Sequence, residues 1–270
     1  MLNQEAKRTL LVALVLCLLC SVVVSVAAVA LKPLQMQNRL LDRNKNILMA
    51  AGLFKPEFTR ADINREFSRF AIDVIDLKTG ESLSEHELSS LGIADVQRYD
   101  AIKAAKKPSL SRKLIDDPAG IISQEKYGKV YLLKDAGRLS LIVLPVRGYG
   151  LWGTLYGFLV VDGTGNTIKG LSFYSHKETP GLGAKVDLPD WKAQWQGKPL
   201  YNDQGDVAIV VGRKNGDSNS KGFVDGLSGA TLTTSGVHRL IHFWLGKEGY
   251  LPYLNRIKRM YAATDSVGVN

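Results

Sequence analysis

Three stretches carry residue types at spacings from which chemistry can be built. The first is Asp225-Gly226-Leu227-Ser228-Gly229-Ala230-Thr231, followed by Leu-Thr-Thr-Ser-Gly-Val up to residue 237. It sets hydroxyls and small residues directly before an apolar, helix-like run over Ser235–Leu245. Ser228, Thr231, Thr233, Thr234 and Ser235 all suit the N-cap of that helix. A helix start with small residues equally suits a phosphate, through unpaired N–H groups and the helix dipole. The residues alone leave both readings open. The stretch lacks the Lys of a Walker A loop, and it is not the G-x-S-x-G of a hydrolase elbow. The second stretch is Ser175-His176-Lys177-Glu178-Thr179-Pro180-Gly181-Leu182-Gly183. Pro180 fixes one φ, while Gly181 and Gly183 free the backbone. Such a loop can present amides to an anion or a planar polar ring, or it can simply connect two elements.

The third is Gly148-Tyr149-Gly150-Leu151-Trp152-Gly153, which matches G-x-G-x-x-G. A dinucleotide fingerprint needs a strand before it and a helix after it. Here LYGFLVV follows, which reads as another strand, so the glycines belong to a tight hairpin. Trp152 and Tyr156 are either core or the lining of a flat ligand. His238 and His242 share a helix face at i, i+4. Without the Glu of H-E-x-x-H or a third ligand, they read as a solvent-facing or packed pair, and no metal site is expected. Cys17 and Cys20 sit inside an apolar run and read as small membrane-helix residues. No residue has the setting of an acid–base catalyst.

The elements that must position these stretches follow from patterning. Leu10–Leu31 is 22 residues without a charge, enough to cross a bilayer as a helix. Lys7 and Arg8 precede it, which favours a cytoplasmic N-terminus over residues 1–9. The alternative, a cleaved signal peptide ending near Ala28-Val29-Ala30, has a much shorter apolar core. Pro33 is expected to kink the junction, and residues 34–54 to continue as an amphipathic helix. Thr59 and Ser84 open further helices, with Asp62 and Glu87 in the first turns. Residues 32–125 therefore read as an N-terminal helical part. From about residue 126, KVYLLKD, RLSLIVLPV, LWGTLYGFLVVD and TIKGLSFYS are strands joined by short turns, an antiparallel meander. A short helix around Trp191, a strand in DVAIVVGRK, and helices over 235–245 and 250–262 complete the domain 126–262, with 263–270 as a tail. The order is α+β, a mostly antiparallel sheet flanked by helices.

The formal net charge is +9, yet Lys and Arg are scattered without a basic block. No groove-reading motif accompanies them, so nucleic acid is not expected as a partner.

Asp225–Thr231 resembles the flavinylation motif of proteins carrying covalent FMN. His176–Gly183 resembles the second signature of the same FMN-binding domain. The span followed by QNRLLDRNKNIL is similar to the C-subunit family of Na+-translocating NADH:quinone oxidoreductases. The resemblance covers nearly the whole chain. It implies that Thr231 bears the FMN phosphoester, one FMN per chain, made by a separate flavin transferase. Asp225, Gly229 and Ala230 would shape the acceptor turn, with Ser228 close to the phosphate. Glu178, Thr179, Gly181, Leu182 and Gly183 would border the flavin. Trp152, Lys214 and Lys221 are suggested as ring contacts by aromaticity and charge alone. The same resemblance implies a single-pass protein of a bacterial inner membrane with its large domain on the periplasmic side. Other subunits of the complex would pass electrons from NADH through this FMN towards quinone, coupled to Na+ export. Two alternatives stay open: the G-type subunit of the related Rnf complex, which lacks a segment like 40–125, and an anchored binding module without redox function.

Overall fold

The computed structural model describes residues 3–213 and 220–267, the last five by backbone alone. Lys214 and residues 268–270 of the expected tail lie outside them. Two compact units are distinguished, 1–44 and 45–270.

The first unit is helical. Helix α1 runs over Gln4–Ala50, with Pro33 inside it. It is long and apolar enough to cross a membrane, and none of its most apolar window is buried. Pro33 removes one backbone donor but does not end the helix.

The second unit opens with the last turns of α1, where Ile47 and Leu48 are fully buried. Helix α2 (Arg60–Phe67) begins where expected: Thr59 and Asp62 cap each other reciprocally. The Thr59 hydroxyl and then its backbone N–H hold the Asp62 carboxyl below its ordinary pKa. Strand β1 (Phe70–Asp76) follows, and here the structure departs from the expected helical part 32–125. β1 pairs antiparallel with a strand that begins at Tyr127. No turn announces this pairing, because the partner lies some fifty residues downstream.

Helix α3 (Glu85–Ser90) has the Ser84–Glu87 capping box, and α4 (Ala101–Ala104) starts at an Asp100 cap. Strands β2 (Ser111–Lys113) and β3 (Ser123–Glu125) form a small antiparallel pair. The meander then appears as read: β4 (Tyr127–Asp135), β5 (Arg138–Tyr149), β6 (Thr154–Asp162) and β7 (Ile168–Ser175). The sheet order is β1-β4-β5-β6-β7. The β4–β5 loop is Ala136-Gly137, with φ of 47° and 79°. Positive φ at both loop residues is the type I′ geometry that suits two-residue hairpins.

A short 3-10 helix over Gly183–Asp187 and α5 (Pro189–Ala193) come next. Strand β8 (Val210–Gly212) pairs in parallel with β9 (Phe223–Asp225), so among the described residues the sheets are antiparallel except for this three-residue ladder. Helix α6 (Thr231–Leu245) and α7 (Leu251–Val267) close the chain. One face of the large sheet receives α6 and the start of α7. Leu144, Leu155 and Leu159 pack there with Val237, Leu240, Ile241, Trp244 and Leu254, all fully buried.

Candidate functional site

The stretch 225–237 folds as the end of β9, a turn, and the start of α6. The helix begins at Thr231, four residues ahead of the expected Ser235. Its N-cap is Ala230, with no side-chain hydrogen bond. Thr233, Thr234 and Ser235 are therefore inside the helix and do not cap it. For Thr233 and Thr234 the partners give the reason. The Thr234 hydroxyl donates to the Ala230 carbonyl at 3.0 Å and accepts from the Leu227 N–H at 2.9 Å. The Thr233 hydroxyl donates to Glu178. Both threonines are buried, while Thr231 is exposed at the first helical position. A helix start leaves its first N–H groups without intrahelical partners, and the N-cap Ala230 has no side chain to answer them.

The turn itself needs Gly229, which has φ of 80°. A Cβ there would meet Leu182 at 3.0 Å, which places the loop 176–183 against the turn. The Lys185 ammonium donates to the Ser228 carbonyl at 3.0 Å. Asp225 is held by its backbone: its carbonyl accepts from the Trp191 indole N–H at 2.8 Å, and its N–H donates to the Gln194 side chain at 2.8 Å. The Thr179 carbonyl accepts from the N–H groups of both Leu182 and Ala184, closing the loop on itself.

Glu178 is buried at 5 % exposure. One carboxylate oxygen accepts from the N–H groups of Leu151 and Trp152, at 3.0 and 3.1 Å. The other accepts from the Thr233 hydroxyl at 2.5 Å. The turn 148–153, the loop 176–183 and the first turn of α6 thus meet at one side chain. Around them stand exposed apolar residues: Trp152 at 62 %, Leu182 at 44 %, Leu232 at 60 % and Leu151 at 37 %. Trp152 is thus surface, not core. Leu151, Leu232 and Lys185 carry no signal in the sequence. Single leucines in a turn and ahead of a helix, like a lone lysine, have no diagnostic spacing.

The donor set fits a phosphate ester on Thr231: an exposed hydroxyl, uncapped amides beside it, small neighbours at 229 and 230, and an ammonium at the adjoining turn. The exposed Trp152, Leu182 and Leu232 suit the edge of a flat ring. Gly183 is buried, and a Cβ there would lie 2.5 Å from Glu178 Oε2 and 2.7 Å from Thr233 Oγ1. We therefore expect Gly183→Ala to push Glu178 and Thr233 apart and cost about 1–3 kcal/mol, read as a fall in thermal midpoint. An unchanged midpoint would contradict the packing described here.

The remaining features separate from this site. Gly148-Tyr149-Gly150-Leu151-Trp152-Gly153 is a strand–turn–strand, closed by the Gly150 N–H donating to the Gly153 carbonyl at 2.9 Å. No helix follows, so the fingerprint has no dinucleotide geometry. Lys221 is exposed, with no contact that ties it to Thr231. Tyr156 pairs in register with Arg147. By strand alternation the Cβ atoms of both leave the sheet on the side opposite the one where Gly148 meets Leu240 of α6. With Tyr149, Lys106 and Lys113 they line a cavity of about 710 Å³ that includes no flavin-motif residue. Cys17 and Cys20 are free and exposed on α1.

The His238 and His242 rings lie 4.2 Å apart between centroids, tilted by 42°, and fasten α6 to the β8 segment. Val211 N–H donates to His238 Nδ1 at 3.3 Å, and His242 Nε2 donates to the Ile209 carbonyl at 2.7 Å. Among the described residues no group of metal-ligating side chains is present. Burial, then His242 and Arg239, lower the His238 pKa. A histidine depressed in the folded state stabilises above its ordinary pKa, and that stabilisation is lost as pH falls through the lowered value. The thermal midpoint should therefore drop as pH falls from about 8 to about 5, less steeply in His238→Gln. Parallel profiles for the two proteins would contradict this.

The chain is similar to proteins of one family along nearly its whole length. A family model described as "FMN-binding domain" matches residues 150–246, which contain the loop 176–183 and the acceptor segment and begin inside the turn 148–153. The C subunit of the Na(+)-translocating NADH-quinone reductase of Pseudomonas aeruginosa is 49% identical over 266 residues, covering 96% of this chain and 99% of the relative. That of Neisseria meningitidis serogroup B is 42% identical, covering 93% of each. The crystal structure of Shewanella oneidensis NqrC superposes with a TM-score of 0.72 at 33% identity, covering 82% of this chain and 99% of that one. The corresponding C-subunit structure from Parabacteroides distasonis gives a TM-score of 0.63 at 26% identity, over 83% and 96%. A long apolar N-terminal helix, a large antiparallel sheet, an FMN-binding segment and end-to-end similarity to these proteins lead to one conclusion: the chain belongs to the family of Na+-translocating NADH-quinone reductase C subunits.

Proposed function

We infer that the chain is the FMN-carrying electron-transfer subunit of a Na+-translocating NADH-quinone reductase, with one FMN joined through its phosphate to Thr231 Oγ. The observation that carries the linkage is the exposed Thr231 hydroxyl at the uncapped start of α6, inside the matched FMN-binding segment. Bound FMN would supply the redox chemistry, taking up and releasing electrons one at a time. The protein's part is to hold and surround it. The first-turn amides of α6 would face the one remaining negative charge of a phosphodiester, a contribution of about 0.3–1 kcal/mol from the helix dipole. Lys185, beside Ser228, adds a cation to that side of the turn. Gly229 and Ala230 leave room for a flavin transferase to approach. Ser228, Asp225, Thr179, Gly181, Leu182, Gly183 and Trp152 are assigned to the surroundings of the flavin. Glu178 supports them from behind.

The cofactor would supply the chemistry and the protein its position, so the chain alone is not expected to oxidise NADH. It works with the other subunits of a membrane complex. The charge order at the N-terminus supports a periplasmic position for 45–270, with residues 10–31 in the bilayer and 126–262 as the flavin-binding domain. Segment 40–125 and the full-length match favour this assignment over the Rnf G-type subunit. Intact mass tests the linkage. After co-expression with a flavin transferase, the chain should gain one FMN minus one water. A colourless chain of unmodified mass would favour the anchored-module reading.

A further inference from the structure

We propose that Glu178 is a positioning residue for flavin attachment: its buried carboxylate orients Thr231 by drawing three separate segments together, and it does not act by touching FMN. The proposal rests on the reading of Thr231 as the acceptor and adds the device that presents it.

The three hydrogen bonds of Glu178 reach 27, 26 and 55 residues along the chain, to Leu151, Trp152 and Thr233. A buried carboxylate is costly unless it is paired or fully hydrogen-bonded. Among the described residues no ion pair involves Glu178, so two amides and one hydroxyl must hold it. The cost of losing any of them ties the segments to one another. The space around the carboxylate is closed as well. A Cβ at Gly150 would lie 2.5 Å from Oε1, and one at Gly183 would lie 2.5 Å from Oε2. Both glycines are therefore shaped around this side chain. The backbone of Glu178 is fixed from the outer side, where its N–H donates to His176 Nδ1 at 3.2 Å. The other ring nitrogen of His176 pairs with Asp187 at 2.7 Å.

The consequence for Thr231 is geometric. Thr231 and Thr233 are two residues apart at the start of α6, which places their side chains about 200° apart around the helix axis. Glu178 holds the Thr233 hydroxyl inward, so the Thr231 hydroxyl is turned outward. A second contact supports the same rotation: Gly236 of α6 lies so close to the Tyr149 carbonyl that a Cβ would approach to 2.6 Å. Rotation of the helix start would break the Glu178 contact before it could bury Thr231.

The test uses the full chain co-expressed with a flavin transferase, with covalent FMN per folded chain followed over time by intact mass. Glu178→Ala should slow attachment by about tenfold or more, since small misplacements of a reacting group carry penalties of that order. Glu178→Gln should stay within about threefold of wild type, because its oxygen still accepts both amides and its NH2 can donate to Thr233. Thr233→Val should slow attachment, and adding it to Glu178→Ala should cost nothing more, as expected for one coupled contact. Ile142→Val, a core change far from the turn, should lower the thermal midpoint without slowing attachment, which separates positioning from general stability. Wild-type rates in Glu178→Ala or in Thr233→Val, or a Glu178→Gln as slow as Glu178→Ala, would overturn the proposal. If Glu178→Ala does not fold, Thr233→Val and Glu178→Gln decide alone. Covalent flavin persisting in Thr231→Ala would instead overturn the acceptor assignment, whatever the Glu178 variants do.

Discussion

Replacing Thr231 by Ala is expected to abolish covalent flavin while leaving the fold intact. The expectation has two parts, each with its own physical basis. Attachment needs a hydroxyl at the exposed first position of α6, and Ala removes only that group. Stability should hardly change, because Thr231 is exposed and Ala is the better helix former. Surface changes of this kind usually stay within about 0.5 kcal/mol. In-gel flavin fluorescence after denaturation should fall to background, with the thermal midpoint of the apo chain unchanged. Thr231→Ser, which keeps the hydroxyl, should retain flavin. A fluorescent Thr231→Ala band would place the linkage on another residue, and Ser228 would be examined next.

Removing Glu125 is expected to destabilise the sheet-bearing unit more than any other substitution named above. The Glu125 carboxylate binds the Arg147 guanidinium through two contacts, at 2.9 and 2.6 Å. Their side chains are 3% and 9% exposed. Arg147 also donates to the Ser123 carbonyl at 3.2 Å and lies 5.4 Å from the Trp244 ring centroid. Such a pair carries a large desolvation penalty, so its net contribution is modest, but removing one partner strands the other charge. Glu125→Ala should therefore cost about 3–5 kcal/mol. For a unit of this size that is a fall of roughly 6–20 °C in thermal midpoint. The double replacement Glu125→Leu, Arg147→Met should recover most of the loss, since hydrophobic substitutes for both partners are often neutral or better. A Glu125→Ala protein within about 1 kcal/mol of wild type would show that water reaches and solvates Arg147.

This ion pair also marks what is not legible in the sequence. Glu125 falls in the segment 32–125 that reads as a separate helical part, yet it binds Arg147 on β5 of the large sheet. β1 belongs to the same sheet through β4. The segment is helical in places, and Thr59–Asp62 and Ser84–Glu87 are the caps that their spacing implies. Its attachment to the sheet has no local signal, because the partners lie tens of residues away. The same holds at the acceptor. The motif residues 225–231 and 176–183 are recognisable as strings, but patterning puts the start of α6 four residues late. Two of the hydroxyls that look like caps, those of Thr233 and Thr234, are spent on Glu178, Ala230 and Leu227.

Local information is sufficient wherever the decisive partner is a near neighbour. An uncharged apolar run makes a membrane-length helix by itself, a capping box joins residues three apart, and Ala136-Gly137 turns β4 into β5 within two residues. Resemblance adds which hydroxyl would carry a flavin. Tertiary structure alone decides that Thr231 faces outward while Thr233 faces in, that Trp152 and Leu232 are exposed, and that one carboxylate gathers three segments. Hydrogen bonds spanning 26 to 55 residues form only after the sheet and α6 have brought their ends together. No pattern of neighbours along the chain can encode that meeting.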